Sequence, residues 1–203
     1  MPKVKLTKGE LKRQRDALKQ YQRYLPTLQL KKQQLQLEIL GQYSLLAEKK
    51  RALETRMRAA ETWSGLLADP GVKLSRLIVL REVIKGAKNI AGVDIPIFEH
   101  IEWEPVEYDL FLWPLWVDLA LETVKLIIAL EEEIKTTEKG IATLKHELMI
   151  TAQRVNLFEK VKIPEAEEAI RQIKIYIGDQ MANAVGRSKM AKRKIEALEM
   201  VAV

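Results

Sequence analysis

Leu11, Leu18, Leu25, Lys32, Ile39, Leu46 and Leu53 recur every seven residues, and Tyr21, Leu28 and Leu35 occupy the accompanying positions. A seven-residue apolar repeat held for that long keeps one stripe on one face of an α-helix and requires a partner helix to cover it. It predicts a helix from about residue 4 to 62, roughly 85–90 Å long at about 1.5 Å per residue. A second repeat lies in the same chain: Ile127, Ile134, Ile141, Leu148 and Val155 are again seven apart. It resumes one step late, as Ile163, Ile170, Ile177 and Ala184, and ends near Leu198.

The segment between the repeats has a different character. Asp69, Pro70 and Gly71 mark a turn, and Leu80 to Trp103 is rich in β-branched residues and centred on Ala91-Gly92, which predicts a short β-hairpin. Pro114 suits the start of the helix that follows. The expected fold is all-α: one long antiparallel two-helix coiled coil with a small β-hairpin in the middle of the chain, both chain ends lying at one end. As a single domain it divides into an N-terminal coiled-coil helix (1–65), a connecting segment with short helix, loop and hairpin (66–112), and a C-terminal coiled-coil helix (113–203).

Pro164 falls inside "RVNLFEKVKIPEAEEAI", a stretch that otherwise reads as helix. An interior proline removes one hydrogen bond, crowds the preceding turn and costs about 3 kcal/mol. One antiparallel register would place Tyr21 opposite Ala184, Leu28 opposite Ile177 and Leu35 opposite Ile170. Pro26 would then meet Gly178 and Pro164 would meet Gly41, leaving room for a shared bend. In the alternative, Pro164 simply divides two consecutive helices.

At 203 residues, 47% hydrophobic and 31% charged, the chain has the composition of a folded domain in water. It has no cysteine, which suits the cytosol and excludes disulfides, zinc-thiolate sites and thiol nucleophiles. The charged N-terminus lacks the apolar stretch of a signal peptide. Leu110 to Leu130 is interrupted by Asp118, Glu122 and Lys125, so it reads as a buried helix face rather than a membrane span.

Gly86 and Gly92 lack the Gly-Lys-Ser/Thr sequence that cradles phosphates, and His100 and His146 have no nucleophile arranged beside them. No catalytic residues, cofactor or metal are expected; His100, Glu102 and Glu104 on an exposed strand read as a solvated face. Trp103, Trp113 and Trp116 are expected to form a small core where hairpin and second helix meet, or a partner-docking patch.

The net charge of +6 is unevenly spread: residues 1 to 60 hold fifteen Lys or Arg against five Asp or Glu, whereas Asp94 to Asp109 holds six acids and no Lys or Arg. Lys3, Lys5, Lys8, Lys12, Arg13 and Arg15 would converge at one tip with Arg187, Lys189, Lys192, Arg193 and Lys194, a basic cluster that wants an acidic surrounding. Such a rod could be a nucleic-acid-binding or scaffold protein, although the interleaved aromatics that support that reading are absent.

The N-terminal "LTKGELKRQRDALKQYQRYLPTLQLKKQQL", the central "NIAGVDIP" and the block "RVNLFEKVKIPEAEEAIRQIKIYI" occur in the order of the D-subunit family of rotary V-type (A-type) ATPases, and nearly the whole chain resembles it. Arg154, Val155, Asn156, Glu159, Ile163 and Pro164 occupy the positions of that family's Arg-Val-Asn and Ile-Pro signature. The resemblance implies a non-catalytic central-stalk rotor shaft that mechanically couples ATP hydrolysis or synthesis in a hexamer of A and B subunits to ion translocation by a membrane rotor ring. It also implies that the basic tip runs in the hexamer bearing, that the small F subunit attaches to the side, and that a cap subunit over the ring holds the other end. On that reading the chain is cytoplasmic and peripheral to the membrane, with no direct insertion and no nucleic-acid partner.

Overall fold

In the computed structural model the described residues are 5–68, 72, 74–106 and 113–201. In chain order they form α1 (Lys8–Glu61), a 3-10 turn (Ser64–Ala68), α2 (Leu74–Leu77), β1 (Leu80–Ile90), β2 (Val93–Trp103), α3 (Trp116–Leu157), a π-helical segment (Phe158–Lys162) and α4 (Ile163–Val201). The expected fold class holds: long helices with one small antiparallel hairpin. Asp69, Pro70 and Gly71, read from the sequence as a turn, lie outside the described residues, as do Glu107 and Asp109. The chain divides into two compact units, residues 31–151 and residues 1–30 with 152–203.

In the unit of residues 31–151, α1 and α3 pack antiparallel. Buried Leu35 and Ile39 share a cluster with Leu144, and Leu46 shares one with Ile134 and Ile141. Lys31 Nζ donates to Glu147 Oε1 at 2.8 Å, Lys49 pairs with Glu133, and Lys50 lies 2.7 Å from Glu138. A third cluster joins Val72 and Leu77 to Val117 and Leu121, with Trp113 and Trp116 packed against it. Trp103 stands apart from those two, its ring 5.7 Å from Lys125 Nζ, so the three tryptophans divide between two environments.

The hairpin belongs to the same unit and spans the expected residues. Its two-residue turn puts Ala91 at φ 51° and Gly92 at φ 78°, the left-handed pair that a tight hairpin demands. Ladder pairing alternates outward from Ile90–Val93, which places Ala87–Pro96 at a non-hydrogen-bonded position where proline's missing N–H is not needed. Ile95 projects into the cluster of Leu35, Ile39 and Leu144, which fastens the hairpin to the helices. Gly140 of α3 lies beneath it; a Cβ there would sit 3.7 Å from Ile95 Cβ.

In the unit of residues 1–30 and 152–203, Thr7 caps α1 by accepting the Glu10 amide at 3.2 Å, half of a capping box. Tyr21 lies against Phe158 with ring centroids 5.2 Å apart. On the second helix Val155, Ala166, Ala169, Ile170 and Ile173 are buried.

The register expected from the Pro/Gly coincidence is therefore wrong. Tyr21 faces Phe158, not Ala184, and Leu35 meets Leu144, not Ile170; each partner is displaced by twenty-six residues. No side chain crowds the Cβ positions of Gly41 or Gly178, so neither glycine makes room for a proline. The connection decides the register instead: α1 ends at Glu61 and α3 begins at Trp116, and helices that return from that connection bring Leu35 level with Leu144.

Pro164 has a different explanation. The Ile163 amide donates to Phe158 O, five residues back, so the helix widens by one residue immediately before the proline. That extra residue is the late step between Val155 and Ile163, and the wider turn carries the helix through a position where the four-residue bond to Lys160 O is impossible. The helix is not divided there: α3, the π segment and α4 follow one another without a gap.

Candidate partner-binding surfaces

Lys3 lies outside the described residues. Lys5, Lys8, Lys12, Arg13 and Arg15 are all exposed, as are Arg187, Lys189, Lys192, Arg193 and Lys194. Arg13 lies 3.7 Å from Glu10 and Lys192 lies 3.7 Å from Glu196, both local pairs on one helix. Arg187 donates weakly to Asn183 O at 3.4 Å. Lys5, Lys8, Lys12, Arg15, Lys189, Arg193 and Lys194 have no carboxylate partner among the described residues, so this charge is available to another molecule.

The two runs are staggered rather than convergent. From the Tyr21–Phe158 contact, Arg15 and Lys8 lie about 9 and 20 Å away along α1, at about 1.5 Å per residue. Arg187 and Lys194 lie about 43 and 54 Å away along the second helix. Only the N-terminal run lies level with the paired helices; the C-terminal run stands on α4 beyond Ile173, where no described side chain is buried.

That last stretch of α4 carries apolar groups as well as cations. Ile175, Met181, Val185, Met190 and Ile195 are each more than half exposed. A helix without a packed face gains little from propensity alone, so this segment is stable only marginally until something covers those groups.

Further apolar surface lies on α1. Leu37 and Leu40 are 70% and 66% exposed, and with Gln33, Gln36, Tyr43 and Leu148 they line a shallow groove. Sequence reasoning missed this face because it followed only the Leu11-to-Leu53 heptad; Leu30, Leu37 and Leu40 fall outside that heptad and its companions, at positions a two-helix coil leaves to water. A second patch includes Leu115, 92% exposed, and Leu119, 61% exposed, on the chain entering and opening α3. Leu119 lines a depression with Ala59, Thr62 and Trp63.

Of the signature residues, Val155 is buried, Ile163 is half-buried and closes the π turn, and Pro164 follows it. Arg154, Asn156 and Glu159 are exposed. Among the described residues no three His, Asp or Glu side chains converge as a metal site would need, and no helix is long and apolar enough to cross a membrane.

The family model for the D subunit of ATP synthase matches residues 10–193. The D subunit of the V-type ATP synthase of Borreliella burgdorferi is 45% identical over 195 residues, 96% of each chain. The subunits of the same name from Chlamydia pneumoniae and from Chlamydia trachomatis serovar L2 are each 34% identical over 197 residues, covering 95% of this chain and 93% and 96% of theirs. Exposed cations, apolar faces without intramolecular cover and end-to-end similarity lead to one assignment: this chain belongs to the ATP synthase D-subunit family.

Proposed function

We propose that the chain is the non-catalytic rotor shaft of a V-type ATPase, turned or driven by a hexamer of A and B subunits and coupled to a membrane ion-translocating ring. The observation that carries this reading is the end of α4: a helical segment beyond Ile173 with apolar groups and unpaired cations distributed around it. Such a segment is suited to a sleeve that surrounds it, because a flat partner would leave part of its apolar surface in water. Exposed Lys and Arg against a bearing form screened pairs worth about 0 to 1 kcal/mol each, weak enough to exchange during rotation. Lys5, Lys8, Lys12, Arg13 and Arg15 form the collar of that bearing, and Arg187, Lys189, Lys192, Arg193 and Lys194 its deeper part. Lys3 is assigned to the collar by sequence position alone.

The groove at Leu37 and Leu40 is assigned to the F subunit, and the patch at Leu115 and Leu119 to the cap subunit over the ring. Coupling is mechanical: catalytic sites on other chains open or close according to the face of the shaft they meet. Reconstitution with A and B subunits tests the reading. A chain ending at Gly178 should fold but fail to assemble with the hexamer; assembly at wild-type affinity, or co-purification with RNA instead of A and B subunits, would overturn it.

A further inference from the structure

We propose that Phe158 to Pro164 is a compliant joint in the second helix, with Tyr21 against Phe158 as its pivot. Three weaknesses coincide there. The five-residue π segment replaces regular α bonds with wider, poorer ones, the Ile163 amide reaching back to Phe158 O. Pro164 follows at once, contributes no N–H and leaves Lys160 O without its α-helical donor. No side chain from Asn156 to Glu165 is buried, whereas Val155 lies in the core on one side and Ala166, Ala169, Ile170 and Ile173 on the other.

Opening this stretch would expose little new apolar surface, while the seams at both ends stay closed. The ring pair at 5.2 Å ties Phe158, at the start of the stretch, to Tyr21 of α1, and the exposed Lys162–Glu165 pair at 3.3 Å crosses its far end. A tilted ring pair tolerates small rotations, so it can hold the two helices together while the backbone beside it bends. The extra residue has no alternative place nearby, because proline prevents the α-helical bond that would let the wide turn migrate past position 164. The joint is therefore pinned in sequence. This inference does not depend on the rotor assignment; it concerns the chain by itself.

Amide hydrogen exchange on the full chain tests it. Protection factors for amides 159–163 should be at least tenfold lower than those of 152–156 and 167–173. Deleting Val161 together with Pro164→Ala restores a seven-residue stride from Val155 and supplies the missing donor, and should raise protection in the segment at least tenfold. If that variant loses its helical circular dichroism, Pro164→Ala alone should still raise protection of its neighbours. Uniform protection across 152–173 in the natural chain, or no rise in a folded variant, would overturn the proposal.

Discussion

Tyr21 lies against Phe158, ring centroids 5.2 Å apart and planes inclined at 46°, and this one pair anchors the register of the helices around it. Tilted aromatic pairs are worth about 0.5–1.5 kcal/mol beyond their burial. A double-mutant cycle with Tyr21→Leu and Phe158→Leu, followed by urea unfolding, should return a coupling in that range. The cycle of Tyr21→Leu with Ala184→Leu should return a coupling near zero.

Leu144 is 0% exposed and shares a cluster with Leu35, Ile39 and Ile95, so it supports both the helix pair and the hairpin. Leu144→Ala should cost about 2–5 kcal/mol in urea unfolding. Leu37→Ala, on an exposed face of α1, should cost much less, within about 0.5 kcal/mol.

Three small substitutions have signs that geometry decides. Gly140→Ala places a Cβ at 3.7 Å from Ile95, an ordinary van der Waals distance, while removing the helix penalty of glycine. It should stabilise by about 0.5–1 kcal/mol. Ala91→Gly relieves a non-glycine residue at φ 51° and should also stabilise, by about 0.5–1 kcal/mol, whereas Gly92→Ala should destabilise. Thermal unfolding of the three variants checks the order.

Glu168 accepts from Arg171 at 2.8 and 2.7 Å and from Gln172 at 2.9 Å. The Arg171 hydrogen bonds and then the Gln172 hydrogen bond hold its carboxyl down to about 2, from an ordinary 4.5. Because the folded-state value is depressed, the contribution to stability is present above the ordinary value and disappears as pH falls through about 2. The carboxylate is exposed and the pair screened by salt, so the effect on overall stability is small. Side-chain carbon NMR should show Glu168 titrating near the depressed value, and Arg171→Ala should move it back toward the ordinary one.

Much of this fold was legible in the residues. The heptads predicted both long helices, and Ala91-Gly92 predicted the hairpin and its turn. The eight-residue step from Val155 to Ile163 corresponds to the π turn. The register was misread because a heptad match repeats every seven residues, and the proline–glycine coincidence chose the wrong repeat. Counting both helices from the connection that joins them, rather than from the Pro/Gly match, separates the repeats: α1 ends at Glu61 and α3 begins at Trp116. The apolar faces at Leu37 and Leu115 were harder to see: an exposed leucine and a core leucine are the same letter, and only the position relative to the seam separates them.

Most cations of the basic runs have no carboxylate partner, and Arg13 and Lys192 pair only with an exposed or half-buried glutamate on their own helix, so the role of the runs should appear in assembly rather than in folding. Replacing Lys192, Arg193 and Lys194 together with alanine should leave helical circular dichroism and the unfolding midpoint nearly unchanged, because alanine is the better helix former. ATP turnover coupled to ion movement in the reconstituted complex should fall. Loss of the helical signal at ordinary temperature would make these residues structural.

The rotor assignment itself is tested most directly by watching the chain turn. With no native cysteine, Arg81→Cys on the exposed hairpin offers a single attachment point for a bead, with the A and B subunits fixed to glass. Stepwise rotation in one direction is expected when ATP is added, stopping when ATP is withdrawn. A bead that stays fixed while the hexamer hydrolyses ATP, with the chain still bound, would contradict it.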